Sequence, residues 1–180
     1  MKHRNAILSF AAVLTLAACA TVPPQSQQLA ANFKAMQPTS GLAKEMTMEE
    51  AERIRDGLVA ELAASHGKVV GYKAGLTNPA VQKRFGTTSP VRGVLLEKML
   101  LDDGAEVPAK FGAIPFFEAD IVAVVKDEGI NQAKTPAEVI KHLSSIRPFI
   151  ELPDLVTAKE QPLRAAISTS FNVGARLGVL

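Results

Sequence analysis

The chain has 180 residues, of which 47% are hydrophobic, and its formal net charge at pH 7 is +2. This length and apolar content suit one folded domain with its own core. The sequence contains no block of like charge, so neither a nucleic acid nor an anionic membrane surface is indicated as a partner.

The amino-terminal segment has the pattern of an export signal. Lys2 and Arg4 form a short positive region, and the thirteen residues 6–18 are uncharged and mostly apolar. A membrane-spanning helix needs about 20 such residues, whereas a run of this length is typical of a secretory signal. We therefore predict that residues 1–18 are a signal peptide, whose removal would bring the net charge to zero.

The predicted signal ends in a sequence that resembles the lipobox of bacterial lipoproteins. Leu16-Ala17-Ala18 precedes Cys19, the single cysteine of the chain, which therefore serves no internal disulfide. The resemblance implies cleavage before Cys19, acylation of its thiol and a lipid anchor in the cell envelope. Ala20, rather than Asp, favours the outer membrane over the inner one. The alternative is an ordinary signal peptide with an incidental cysteine.

The mature chain is predicted to begin with a tether and to continue as one domain. Residues 19–46 are rich in Pro, Gln, Ser and Ala, and we interpret them as the tether, with a short helix at residues 27–36. The domain is predicted over residues 47–180. It opens with a helix, because Thr47 and Glu50 form a capping box and apolar residues recur at helical spacing as far as Gly67.

The remaining predicted elements are strands interspersed with short helices. Several strands follow one another without a crossover helix, which favours an α+β fold over a doubly wound sheet. The predicted strands cover residues 68–73, 93–101, 105–108, 116–126, 147–152 and 170–180, and the predicted helices cover residues 78–85 and 135–143.

Three carboxylates are candidate metal ligands. Glu118 and Asp120 stand two apart at the head of an apolar strand, so their side chains face the same way. Two buried like charges are unfavourable without a positive charge between them. Glu151, again between apolar neighbours, completes an oxygen-only set that suits Mg²⁺ or Mn²⁺ better than zinc. The alternative is an ordinary strand face exposed to solvent.

A lysine between glycines is the second candidate. Gly71 and Gly75 flank Lys73 at a spacing of two residues, and residues without side chains allow the backbone to approach a small ligand. The lysine itself can act as a point charge or as a proton donor. A surface lysine at the end of a strand is the alternative.

Taken together and in chain order, these motifs resemble the 2-keto-4-pentenoate hydratase family of the fumarylacetoacetate hydrolase group. The resemblance implies a mixed β-sheet fold with a distorted barrel-like core and peripheral helices. It also implies Mg²⁺ or Mn²⁺ held by Glu118, Asp120 and Glu151, with Lys73 beside the substrate as the catalytic lysine. The matching motifs are Gly71-x-Lys73-x-Gly75-Leu76-Thr77-x-Pro79, Ser89-Pro90-x-x-Gly93, Phe117-Glu118-Ala119-Asp120-Ile121 and Glu151.

The activity that the resemblance implies is that of a hydro-lyase. The metal would chelate a small unsaturated 2-hydroxy or 2-oxo acid of the 2-oxopent-4-enoate type, and water would add to its distal double bond. Lys73 would orient this substrate or transfer a proton.

The sequence departs from the family in three places. Many hydratases carry an acid where this chain has Val91, so an acid restored there is expected to raise turnover. Asp120 stands where hydratases usually have Glu. The family continues beyond the point matching Leu180, so the domain is predicted to be incomplete, with an unpaired final strand that favours a homo-oligomer. These departures leave two alternatives open: an envelope lipoprotein that binds a 2-oxo acid without turnover, or one without a ligand.

Overall fold

The computed structural model of the protein describes residues 22–180. The predicted signal peptide and the predicted lipidation site at Cys19 lie outside the described residues. No helix in the described part of the chain has the length and apolar character needed to cross a bilayer.

The described residues form five α-helices, six strands and three short 3₁₀ helices. The α-helices are α1 (Pro24–Ala35), α2 (Met48–His66), α3 (Pro79–Arg84), α4 (Pro136–Lys141) and α5 (Ala165–Ser170). The strands are β1 (Val69–Gly75), β2 (Val91–Leu96), β3 (Leu100–Leu101), β4 (Glu118–Val125), β5 (Leu143–Leu152) and β6 (Leu177–Val179). The 3₁₀ helices are Glu97–Met99, Glu128–Gln132 and Asn172–Gly174.

The strands form two sheets. β1 and β2 pair as an antiparallel ribbon, and the second sheet has the order β3-β6-β5-β4. This second sheet is mixed, because β3 and β6 are parallel whereas β5 is antiparallel to both β4 and β6. The predicted α+β class with a mixed sheet is therefore confirmed. Within residues 22–180 the two sheets do not close into a barrel.

Local side-chain hydrogen bonds fix the starts of α2, α3 and α4, as predicted. At α2, the backbone N–H of Glu50 donates to the Thr47 hydroxyl (3.2 Å), and the Thr47 N–H donates to the Glu50 carboxylate (2.8 Å). Thr135 and Glu138 form the same capping box at α4. At α3, the Asn78 side chain accepts a hydrogen bond from the N–H of Ala80 at 2.8 Å. Each of these bonds satisfies a backbone N–H that has no partner within its own helix.

Residues 19–46 were predicted to be a tether, and this interpretation is wrong for residues 24–46. Helix α1 packs on α2 and contributes Leu29 and Phe33 to the hydrophobic core, and Leu42 in the following loop joins the same cluster. Composition alone misled here, because the apolar residues of this segment are few but lie on one helix face. The folded unit therefore begins before Thr47.

Residues 170–180 are not one strand. Asn172, Val173 and Gly174 have positive φ angles of 62°, 55° and 70°, which no extended strand can accommodate. The Asn172 amide accepts from the N–H of Val94 (2.7 Å) and donates to its carbonyl (2.8 Å), taking the place of a neighbouring strand. The chain becomes extended only at β6.

Strand β6 is not left unpaired, which corrects a further expectation. It lies between β3 and β5, so both of its sides are hydrogen-bonded. The reason given for a homo-oligomer therefore does not hold, and the oligomer stays a prediction. Residues 105–108, predicted as a strand, form a loop after the turn at Gly104, and Pro108 has no N–H to offer a ladder.

Strand β4 is more exposed than its apolar sequence predicts. It is an edge strand with β5 as its one neighbour in the sheet. Its outward side chains face solvent, as Ile121 shows with 67% of its surface exposed, and Ile146 and Ile150 of β5 extend the same exposed face. An apolar run indicates a buried strand only when both faces of the sheet are covered.

Candidate functional site

The β1–β2 ribbon positions Lys73. The pairing places Lys73 opposite Gly93, and the lysine side chain crosses the space that a side chain at position 93 would fill. A Cβ atom on Gly93 would lie 2.7 Å from Lys73 Cγ and 2.8 Å from the backbone oxygen of Asn172. Gly93 therefore gives the lysine its path towards the second sheet.

The β4–β5 pair brings two of the predicted ligands together. Glu118 and Glu151 are direct partners in its antiparallel register, so their side chains lie on the same face of the sheet. Lys73 Nζ donates a hydrogen bond to Glu151 Oε1 across 78 residues of sequence. Both side chains are largely buried, with 13% of Lys73 and 8% of Glu151 exposed.

Lys73 is paired with Glu151, so its positive charge compensates the Glu118 carboxylate only in part. Partial burial of the carboxyl group is the main cause that raises the pKa of Glu118, and the neighbouring Glu151 carboxylate adds to it. A hydrogen bond between the two carboxyl groups acts in the same direction, while the charge of Lys73 opposes it. One lysine therefore serves two carboxylates, and a further cation would be favoured beside them.

Asp120 lies on the same cavity wall but apart from this contact. Its Oδ1 atom accepts a hydrogen bond from the N–H of Ile121 at 2.7 Å, and the residue is exposed. Among residues 22–180, no three His, Cys, Asp or Glu side chains form a ready-made metal-binding cluster. The structure thus brings together Lys73, Glu118 and Glu151, with Asp120 at the border of the same cavity.

The cavity is polar at the strands and apolar elsewhere. Its volume is about 440 Å³, which is in the range of small-molecule sites. The β1–α3 loop contributes Leu76, Thr77 and Asn78 to the wall. The apolar part of the wall consists of Val81, Phe85, Phe116, Leu155, Leu163, Ile167, Phe171 and Val173. A small organic acid with a hydrocarbon chain matches this division.

A second cavity of about 470 Å³ borders the same charged residues. Lys73, Asp120 and Glu151 line both cavities, so the ion pair lies between them. The far side of this second space is formed by Tyr72, Leu95, Leu100, Phe149 and Arg176.

Two strained residues at the cavity were not predicted. Leu76 and Val173 have φ angles of 56° and 55°, in the left-handed region that side chains rarely adopt, least of all β-branched ones. Both line the cavity, where such strain is often found in functional sites. Gly75 makes room for Val173, since a Cβ atom at position 75 would collide with the valine side chain. The sequence could have indicated a left-handed turn at Val173, because it is flanked by Asn172 and Gly174 and both residue types favour such turns.

A buried aspartate that was not predicted anchors the chain before β4. Asp154 accepts hydrogen bonds from the N–H groups of Ala113 (2.9 Å) and Ile114 (2.7 Å). Arg176 Nη1 lies 3.3 Å from the same carboxylate. The guanidinium group of Arg176 also lies over the Phe33 ring. Burial lowers the pKa of Arg176, and the charge of Asp154 opposes this shift. This cluster joins α1 to the segment that leads into the site.

Val91 is not on the wall of the cavity. It is buried, with 6% of its surface exposed, and its Cγ2 atom would lie 3.3 Å from a Cβ atom on Gly75. The residue at this position therefore packs behind the site in this chain.

The chemistry of the donors fits a hard divalent cation. The cavity wall of the described chain offers three carboxylates and no His or Cys side chain, and oxygen-only sets suit Mg²⁺ and similar ions. A cation beside Glu118 and Glu151 would counteract both the burial and the neighbouring carboxylate charge that raise the pKa of Glu118.

Comparisons with known proteins give partial sequence matches. No protein-family model matches the chain. It is 36% identical over 87 residues to a 2-keto-4-pentenoate hydratase of Burkholderia vietnamiensis, covering 48% of this chain and 33% of that protein. It is 26% identical over 140 residues to a 2-oxo-hept-4-ene-1,7-dioate hydratase of Escherichia coli, covering 76% and 52%. The chain spans between a third and about half of the length of these relatives.

A solved structure matches more of the chain. The 4-oxalocrotonate decarboxylase from Pseudomonas putida G7, complexed with magnesium and adipate, superposes with a TM-score of 0.76 at 20% identity, covering 86% of this chain and 60% of that one. The same enzyme complexed with calcium and acetate gives a TM-score of 0.71. The predicted fumarylacetoacetate-hydrolase-type fold is thereby confirmed.

Proposed function

We propose that this protein is a divalent-metal-dependent lyase of the hydratase type, acting on a small unsaturated 2-hydroxy or 2-oxo acid. One observation carries the proposal: Lys73, Glu118 and Glu151 meet at the polar end of a mainly apolar cavity. The partial similarity to hydratases, including a 2-hydroxypent-2,4-dienoate hydratase of Pseudomonas putida, supports it.

Glu118, Asp120 and Glu151 would hold the metal, Mg²⁺ or Mn²⁺. When bound, this ion would supply stabilisation for negative charge that develops on the substrate oxygens. The similar decarboxylase structures, complexed with magnesium in one case and with calcium in the other, support a divalent ion of this kind.

The residues of the chain have three tasks in this proposal. Lys73, which reaches the cavity from β1, would orient the substrate carboxylate or donate a proton at its Nζ atom. Glu151 holds the lysine in place through their hydrogen bond. The apolar wall, with Phe85, Phe116 and Phe171, would exclude bulk water from the hydrocarbon part of the substrate.

A direct assay tests the proposal. The loss of the ultraviolet absorbance of 2-hydroxypenta-2,4-dienoate is followed with Mg²⁺ and with EDTA. We expect turnover with Mg²⁺ and none with EDTA. With Mg²⁺ present, the turnover of Lys73→Met and of Glu151→Gln should be lower than that of the wild type by about 10²-fold or more. Lys126→Met, at an exposed lysine away from the cavity, is the matched control. Metal-dependent binding without turnover would favour the alternative of a binding lipoprotein, and no binding would refute both.

We also propose that the protein is a lipoprotein of the cell envelope, anchored through Cys19. The sequence Leu16-Ala17-Ala18-Cys19 after an apolar segment supports this location. In a Gram-negative host fed labelled palmitate, the full chain should become labelled and Cys19→Ser should not. A labelled and normally processed Cys19→Ser variant would refute the anchor.

A further inference from the structure

The outer face of the second sheet, opposite to the carboxylates, carries apolar side chains. Side chains alternate along a strand, so Glu118, Asp120 and Glu151 share one face and the intervening residues form the other. The register pairs the outward residues as Ala119 with Ile150, Ile121 with Pro148, and Ala123 with Ile146, and it places Val179 of β6 beside Ile150. None of these outward side chains is charged or can form a hydrogen bond.

This outer face is open to solvent in the described chain. Ile121, Ile146 and Ile150 are 67%, 56% and 52% exposed, and Val125, at the end of the same row, is 53% exposed. Together with the exposed alanines and proline of these rows, they leave on the order of 500 Å² of apolar surface in water, in the upper part of the range for the largest patch of a monomer. A sheet with one apolar face is stable when a second layer covers that face.

We propose that the outer face of β4 and β5 binds the same face of a second copy of the chain, so that two sheets pack as a sandwich. Packed sheets lie about 10 Å apart, and the side chains of their facing surfaces interdigitate. Two faces of this size would bury about 1,000 Å² in total, which meets the lower limit for a specific interface. This dimer follows from the exposed face of the sheet and needs no unpaired strand.

The composition of the outer face favours a second copy over other partners. Without charges, two such faces meet without like-charge repulsion, and they offer a charged partner nothing to pair with. A surface that contacts lipid usually has Trp or Tyr at its border, whereas the chain has no Trp and its single tyrosine, Tyr72, belongs to β1. In a twofold dimer, one patch serves both copies.

Sedimentation velocity of the full chain over a range of concentrations tests the proposal. We expect a concentration-dependent dimer for the wild type. Ile146→Lys and Ile146→Glu should each raise its dissociation constant by about 100-fold or more, because each brings two like charges into the interface. An equimolar mixture of these two variants should dimerise more tightly than either variant alone. Ile140→Lys is the matched control, since this isoleucine of α4 is 62% exposed but does not belong to the sheet, and it should leave the dimer unchanged.

The design separates this interface from other causes of association. All variants keep residues 1–21, so association through that segment would be the same in each. A restored dimer in the mixture also shows that both charged variants are folded. A wild type that is monomeric at every concentration would overturn the proposal, and so would a mixture that dimerises no better than its components. Because the outer face lies opposite the carboxylates, the experiment is run in EDTA and its result does not depend on the proposed function.

Discussion

Glu118 and Glu151 lie directly opposite each other across the antiparallel pair of β4 and β5. Lys73 donates a hydrogen bond to Glu151, and burial together with the Glu151 charge raises the pKa of Glu118. Like charges in direct cross-strand register destabilise a sheet. This arrangement opposes the stability of the metal-free protein and provides the charge for a divalent cation.

Glu118→Gln should therefore separate stability from binding. Removing one of two facing carboxylates should stabilise the metal-free protein by about 0.5–1 kcal/mol at neutral pH. The same variant should lose its stabilisation by Mg²⁺, because a proposed ligand is gone. Thermal unfolding with EDTA and with Mg²⁺ measures both effects. A variant that is less stable than the wild type in EDTA would show that Glu118 is not under strain.

The raised pKa of Glu118 also predicts the direction of a pH effect. Between the ordinary glutamate value of 4.5 and the raised pKa, the folded protein binds more protons than the unfolded chain. The stability of the metal-free wild type should therefore fall as the pH rises through this window. Urea unfolding at a series of pH values above 4.5, with EDTA, should show a flatter profile for Glu118→Gln. Parallel profiles for the two proteins would assign the pH dependence to other groups.

Lys73→Met should destabilise the protein, because it leaves Glu151 buried without its partner. Removing one member of a largely buried ion pair costs about 3–5 kcal/mol, and the two side chains are 13% and 8% exposed. The double variant Lys73→Met with Glu151→Gln should recover most of this loss. Urea unfolding gives the free energies, and Lys126→Met should change them by less than about 0.5 kcal/mol. Additive effects of the two substitutions would contradict the pairing.

Gly93→Ala should displace the Lys73 side chain. The added methyl group would lie 2.7 Å from Lys73 Cγ, and such overpacking costs about 1–3 kcal/mol. Gly71→Ala is the matched control, since a methyl group there would meet a Leu95 methyl at the ordinary contact distance of 3.7 Å. We expect Gly93→Ala, and not Gly71→Ala, to lower both stability and Mg²⁺-dependent turnover. Equal effects at both glycines would mean that the path of the lysine is not the cause.

Val91→Asp should fail to raise turnover, contrary to the expectation from the family pattern. The side chain is buried against Gly75 and does not itself line the cavity. A carboxylate buried there without a partner should cost about 3–5 kcal/mol. Val91→Thr, of similar shape and uncharged, serves as the control. A stable Val91→Asp protein with higher turnover would show that the carboxylate reaches the substrate.

The parts of the fold that depend on neighbouring residues could be predicted from the sequence. The capping boxes at Thr47 and Thr135 and the cap at Asn78 lie within four residues of the groups that they bind. The alternation of a strand likewise predicted that Glu118 and Asp120 share a side, and both line one cavity. Short-range geometry of this kind leaves few alternatives.

The remainder depends on contacts between distant parts of the chain. Nothing local indicates that Lys73 meets Glu151, 78 residues away, or that Asn172 binds the backbone of Val94. The exposure of β4 depends on its place at the edge of a sheet, which an apolar run does not reveal.

Anomalous diffraction from crystals soaked in MnCl₂ tests the central claim most directly. We predict one strong anomalous peak in the cavity, bound by carboxylate oxygens of Glu118, Asp120 and Glu151, and its absence from crystals of Glu118→Gln. A cavity without a peak in the wild type, or a peak bound only by other residues, would contradict a divalent metal site at these three carboxylates.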